Sequence, residues 1–192
     1  VLYEQAKKWG IKYVLAGMNV VTEHVLPSYW IYSKADDVNI KFIQNKFGTR
    51  KVAELKTFPF LNYANRKYCN DVLKMEVITP LNWIQYDYDL VKERIINELG
   101  WRDYGGKHYE SIWTRFYQGY ILPKKFKIDK RKAHLSNLIF SGQIDKKFAL
   151  KKLENPTIDL DILEQDYDFV IKKFGLTSSE FDKLMTLPRV EH

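Results

Sequence analysis

Between Trp101 and Ser111 the chain reads WRDYGGKHYES, two adjacent glycines set among ionisable and aromatic side chains. A surface turn needs glycine where φ must be positive, but it has no need for that company. Gly105 and Gly106 can bring backbone N–H groups up to an anion, as in a nest, while Lys107, His108 and, one or two turns later, Arg115 supply cations or hydrogen-bond donors. His108 could be a general base or a donor, although a lone histidine more often has a structural role. Two glycines and one lysine form no Walker pattern, so the spacing alone names no nucleotide.

A second candidate group lies in DKRKAHLSNLIFSG, a helix with Asp129 as N-cap and Gly142 as terminator. Arg131, His134, Leu135 and Leu138 share one face by i, i+3, i+4 and i+7 spacing, which steers Arg131 inward at the first turn. There a guanidinium joins free N–H groups and the positive end of the macrodipole, an arrangement suited to phosphate oxygens. Three cations in a row, Lys130 to Lys132, are unfavourable at a helix start unless an anion or solvent compensates them. Elsewhere His24 stands beside Glu23, a pair able to orient and polarise each other or simply to face solvent. No Cys/His metal spacing, G-x-S-x-G elbow or HExxH is present, so zinc and nucleophilic mechanisms lack support.

Charge follows the same map. Residues 101–134 hold nine Lys/Arg against three Asp/Glu, whereas residues 135–192 hold eight against ten. Clustered positive charge points to phosphates or nucleic acid, with a solvated lysine-rich face as the ordinary alternative.

The elements that must position these residues fall into two kinds. LYEQAKKWG reads as a helix end closed by Gly10, and IKYVLAG as a short strand, an αβ step of the kind found in parallel sheets. Ligands gather beyond the carboxyl ends of such strands, so Gly17 to Trp30 is placed to form a site or a plain connection. ADDVNIKFIQNKFG is a helix with an acidic first turn and Ile40, Ile43 and Phe47 along one side; EVITP is a second strand stopped by Pro80. DYDLVKERIINELG is a helix capped by Asp87 or Asp89 and closed by Gly100. Beyond it only helices are expected. Tyr109, Ile112, Trp113, Phe116, Tyr117, Tyr120 and Ile121 form a broad buried stripe running to Pro123, with Ser111, Arg115 and Gln118 opposite; three more helices follow, the last opened by a Thr177–Glu180 capping box.

With 192 residues, 45% of them apolar, the chain can bury one good core and a smaller second one. Cys69, the only cysteine, permits neither a disulfide framework nor a cysteine-based zinc site and reads as a buried, inert thiol. No run approaches the roughly 18 apolar residues of a membrane span, and no signal peptide opens the chain, so the expectation is a soluble, cytoplasmic protein. The start at Val1 and the ending VEH, like the stub of a histidine tag, read as a piece of a longer protein, and His192 receives no functional reading.

GMNVVTEHVLPSYWIYSKADDVNIKFI, LGWRDYGGKHYESIWTRFYQGYILPKKF and IDKRKAHLSNLIFSGQI resemble the N-acetyl sugar amidotransferases of lipopolysaccharide and O-antigen synthesis, the WbpG/PseA-like proteins, from about Ala6 to the final helix. The resemblance implies an α/β fold: the end of a parallel PP-loop (adenine nucleotide α-hydrolase-like) sheet over residues 1–85, then an all-helical C-terminal region over residues 86–192. It implies ATP as cosubstrate, with Mg2+ expected beside it, and a nucleotide-linked N-acetyl sugar whose acetamido oxygen is adenylated before ammonia displaces AMP to leave an acetamidino group. Ammonia is expected from a glutaminase subunit with a cyclase-like partner. Gly17, Asn19, Thr22, Glu23 and His24 fall in the motif after a sheet strand, where nucleotide or sugar would lie. Lys107, Arg115, Lys130, Arg131 and His134 fall in the helical motifs, where cations could steady pyrophosphate; of these Lys107, Arg115 and Arg131 are the expected catalytic set, converging on one anion. Gly105, Gly106 and His108 join the binding set. The Ser-Gly-Gly-x-Asp-Ser loop and the cysteine cluster that the family carries upstream are not in this sequence, so the chain resembles the C-terminal half and activity from it alone is doubtful.

Two competing readings remain: an RNA-modifying PP-loop enzyme, which requires a broad basic and aromatic surface, and a non-catalytic helical interaction module, for which the basic segment would be a docking face. Of these, nucleic acid is the less expected partner. Sheet edges or faces left uncovered would invite self-association.

Overall fold

The computed structural model describes residues 1–23, 26–30, 36–106 and 109–188. It divides into two compact units, one of Val1–Met18 with Pro27–Ile84, the other of Asn19–Leu26 with Gln85–Arg189. The eight-residue segment after Met18 therefore belongs with the second, helical unit.

In the first unit, α1 (Leu2–Lys8) ends two residues before Gly10, whose φ of +64° turns the chain into β1 (Tyr13–Leu15). β1 pairs in parallel with β2 (Glu76–Ile78), in the register Tyr13 to Glu76, Val14 to Val77 and Leu15 to Ile78. The sequence-read strands and their parallel sense are thus present, as a two-stranded sheet among the described residues. The short core is Ala6, Cys69 and Met75, with Tyr3 and Leu73 against it, so the lone thiol is buried.

Tyr13, Leu15 and Val77 are exposed, Leu15 by 74%. Between the strands, α3 (Asp37–Phe47) is N-capped by Asp36, whose Oδ1 accepts from the N–H groups of Val38 and Asn39. Its Ile43 and Phe47 are exposed and none of its residues is fully buried. The apolar side read from sequence exists but is not covered within the unit.

The second unit begins with the single turn α2 (Val20–Glu23). After α4 (Tyr63–Lys67) of the first unit and β2, α5 (Tyr88–Leu99) is capped by Asp87 and closed by Gly100 in the left-handed conformation, which resolves the choice between Asp87 and Asp89. Every regular element after it among the described residues is helical: α6 (Ile112–Phe116), a π-helical turn (Tyr117–Ile121), α7 (Leu122–Phe126), α8 (Lys130–Phe140), α9 (Lys146–Glu154), α10 (Leu160–Phe174) and α11 (Ser178–Thr186). The Thr177–Glu180 capping box is formed in both directions.

Phe116, Ile121, Val170 and Phe181 make the core, and Tyr120 and Tyr167 ring it with edge and stacked contacts to Phe116 and Phe181. Phe116 is fully buried. Aromatic area of this kind dominates the burial energy of a small helical unit.

Candidate functional site

α6, the π turn and α7 run as one continuous rod through Pro123, contrary to the expectation that the proline ends the helix. The physical reason lies in two places. The wider turn, with Leu122 N–H donating to the Tyr117 carbonyl, reroutes the ladder just before the proline. Pro123 has no N–H for the carbonyl of Gly119, four residues back, and the Thr157 hydroxyl donates to that oxygen instead at 2.6 Å. Ile158, buried, packs on Gly119 so closely that a Cβ there would sit 2.9 Å from its own Cβ. The rod and the loop before α10 are therefore fitted to each other.

Arg115 projects from α6 onto α10. Its Nε donates to Asp166 Oδ2 at 2.7 Å and its Nη2 to Oδ1 at 2.6 Å, a bidentate pair in which the Asp166 side chain is 3% exposed and that of Arg115 19%. The hydrogen bonds to Asp166 raise the guanidinium pKa above its already high ordinary value, so the cation is permanent. The Tyr109 ring lies against that guanidinium, 5.2 Å from centroid to Cζ. A Cβ on Gly106 would in turn come within 2.9 Å of the Tyr109 ring. Gly106 thus sits against an aromatic ring that covers the ion pair, and Gly105, with φ +89°, donates its N–H to Asp103. Asp103 also pairs with Lys92, whose hydrogen bond, ahead of the one from Gly105, holds the carboxyl below its ordinary pKa. Lys107 and His108 lie outside the described residues.

Arg131 does not point into the core as the i, i+3 spacing suggests. It folds back on its own N-cap, Nη2 to Asp129 Oδ2 at 2.8 Å, while Nη1 donates to the carbonyls of Asn155 and Pro156 at 2.8 and 3.0 Å. Asp129 neutralises the cation at the helix start and also accepts from the Arg131 N–H. Three more cations of the basic segment have partners within the protein: Lys124 the Tyr120 hydroxyl, Lys125 the Leu184 carbonyl and Lys127 the Lys124 carbonyl. Sequence reasoning assigned Arg115 and Arg131 a phosphate; in the fold they hold Asp166 and the Asn155–Pro156 carbonyls.

What the fold does bring together is α2 and α8. Asn19 and Thr22 are buried, and the Asn19 side-chain oxygen accepts from both the N–H and the hydroxyl of Thr22. Asn137 of α8 is buried and His134 half-buried. Glu23 is exposed at the end of α2 and lies near Tyr86, whose phenol is pushed up mainly by burial, with Tyr88 and the Glu23 carboxylate adding. Gln143, just past α8, fixes that segment by donating to the Tyr86 carbonyl at 2.8 Å and accepting from the Tyr88 N–H.

Of the residues read from sequence, Asn19, Thr22 and Glu23 of the post-strand motif therefore share an interface region with the helix that carries Lys130 and His134. Gly17 follows β1 in the first unit, and His24 lies outside the described residues. Asp166, Asn137, Thr157 and Tyr86 were missed. Asp166 had left a signal: an acid three residues after Leu163 and four before Val170, in the middle of an apolar stripe.

Among the described residues no helix is long and apolar enough to cross a membrane, and no group of three or more His, Cys, Asp or Glu gathers to hold a metal ion. No curated protein and no solved structure matches the chain. Residues 110–192, from the loop before α6 to the end, match the model of the family described as LPS biosynthesis protein WbpG-like, C-terminal domain, so the C-terminal part of this chain carries the WbpG-like lipopolysaccharide biosynthesis domain that its sequence resembles.

Proposed function

We propose that the chain is part of an ATP-dependent amidotransferase that converts the acetamido group of a nucleotide-linked sugar to an acetamidino group in lipopolysaccharide or O-antigen synthesis. The observation that carries this reading is the WbpG-like match over residues 110–192. The packing of the post-strand motif at α2 on α8 supports it, since both are segments of the sequence resemblance.

An amide oxygen is a poor leaving group, and ATP, when bound, would supply the AMP that makes it a good one, with water excluded from the adduct. Asn19, Thr22 and Glu23, with Lys130 and His134, are the residues to which we assign nucleotide and sugar binding. Glu23 is the exposed carboxylate of the group and suits ribose or sugar hydroxyls as an acceptor. Arg115 and Arg131 we assign to positioning: one locks α6 to α10, the other fixes the loop between α9 and α10. Lys107, Gly105, Gly106 and His108 keep their proposed place in the loop before α6. A PP-loop sheet around β1 and β2, a cytoplasmic setting, Mg2+ and an ammonia-supplying glutaminase with its cyclase-like partner belong to the same reading.

The engagement of the Arg131 guanidinium by Asp129 and by the Asn155 and Pro156 carbonyls weighs against the RNA-modifying alternative, which needs its cations available to phosphates. The test is sugar-dependent release of AMP and pyrophosphate from ATP by the full-length protein with ammonium chloride. Mass spectrometry should find the acetamido oxygen of a UDP-linked 2-acetamido sugar replaced by NH. Nucleotide release that ignores the sugar and responds to tRNA would overturn the reading.

A further inference from the structure

α9 offers a face that neither the core nor the proposed chemistry uses. At 3.6 residues per turn, Ala149 and Leu153 point the same way, and Ala149, 3% exposed, is buried where α9 packs on α8. On the opposite side Lys147 and Lys151 lie between Leu150 and Phe148, which are 54% and 48% exposed. Lys152 holds its ammonium 5.4 Å from the Phe148 ring. Glu154 lies within this face, between Leu150 and Lys147, and offsets one of its charges, Lys146 borders it, and the other nearby acid, Asp145, is occupied in capping the helix at the Phe148 N–H. α8 ends on Phe140, which at 90% is the most exposed large apolar residue described.

We propose that this outer face of α9, with Phe140, docks on an anionic lipid surface. Lysines and apolar side chains alternate here instead of segregating, and the face belongs to a single convex helix. A rigid protein partner would need a matching groove, whereas a bilayer interface adapts. Headgroup phosphates meet the ammonium groups while Phe148, Leu150 and the lysine stems enter the headgroup and acyl boundary. Nothing in this depends on the amidotransferase reading.

The test is cosedimentation of the full-length protein with vesicles of phosphatidylglycerol and phosphatidylcholine, against phosphatidylcholine alone. Binding should require the anionic lipid, fall with salt and resist millimolar inorganic phosphate. Lys147→Glu with Lys151→Glu should weaken it about tenfold or more. Phe148→Ser with Leu150→Ser, which keeps every charge, should weaken it severalfold. Circular dichroism of these surface variants should match the parent; were either pair to unfold, Lys147→Gln with Lys151→Gln and Phe140→Ser would carry the same comparison. Equal binding to neutral vesicles, or unchanged binding of both double variants, overturns the proposal. So does displacement by inorganic phosphate, which marks a free-phosphate site, and so does capture by polyglutamate with the apolar pair dispensable, which marks an acidic protein partner.

Discussion

Asp166 takes both the Nε and an Nη of Arg115 across the contact between α10 and α6, with its carboxylate almost fully buried. Removing one partner of such a pair strands a charge in the interior, which costs far more than the pair contributes over an apolar substitute. Asp166→Ala should therefore destabilise the helical unit by about 3 kcal/mol, the low end for a buried pair because Arg115 keeps some contact with water. The double substitution Arg115→Met with Asp166→Leu should recover most of that loss. Urea denaturation of the three variants measures it, and equal losses for single and double would show that the site cannot repack.

Gly106 should tolerate no side chain while Tyr109 stays over Arg115. Gly106→Ala places a Cβ within 2.9 Å of the Tyr109 ring and must displace it. The expected result is a changed near-ultraviolet signal from Tyr109, with stability falling by about 1 to 3 kcal/mol as for other overpacked sites. Gly105→Ala should be costly for a different reason, its φ of +89°, which no neighbour can relieve.

The local grammar of this chain was readable and its long-range partners were not. Asp129 caps the helix it precedes as read, and Asp87, one of the two residues read as candidates, caps α5, because capping depends on residues two or three apart. The strands β1 and β2 and the parallel sense were legible because IKYVLAG follows a helix closed by Gly10 and EVITP stops at Pro80, whereas the pairing of one with the other, 63 positions apart at Tyr13 and Glu76, was not. The partners of Arg115 and Arg131 were not legible because spacing shows which face a residue occupies, not which element covers it. Asp166 lies 51 positions from Arg115 and Asn155 lies 24 from Arg131. A strict 3.6 period also hid the π turn at Tyr117–Ile121, and with it the passage of the helix through Pro123.

Arg131→Ala should register first as a loss of stability, about 2 kcal/mol, because Asp129 and two carbonyls lose their donor together. Arg131→Lys should recover little, since an ammonium cannot reach both sides of that clasp. Lys152→Ala, exposed on α9, is the control and should stay within about 0.5 kcal/mol. Thermal melts of the three decide it; a fully stable Arg131→Ala would return this residue to the phosphate role first expected of it.

The capping box of α11 should loosen in acid. The Thr177 N–H and hydroxyl both donate to Glu180, which lowers the Glu180 carboxyl below its ordinary value, the backbone donor contributing most. A folded-state pKa lowered in this way gives stability that is present above the ordinary glutamate value and is lost as pH falls through the depressed one. Amide exchange at Thr177 should accelerate over that acid window. Glu180→Gln should flatten the response, and an unaltered profile in that variant would assign the loosening to another carboxylate.

Thr157 and Pro123 should be energetically coupled although they are 34 positions apart in sequence. The Gly119 carbonyl loses its helical donor because residue 123 is proline, and the Thr157 hydroxyl replaces it. Thr157→Val keeps the shape and removes the donor, leaving an unsatisfied carbonyl at a cost of about 1 to 3 kcal/mol. In a Pro123→Ala background the N–H of residue 123 becomes available to that carbonyl, so the same Thr157→Val change should cost markedly less. The double-mutant cycle by urea denaturation reads the difference directly, with a coupling of about 1 kcal/mol expected. Additivity of the two substitutions would mean that the hydroxyl holds the loop before α10 without substituting for the missing helical donor.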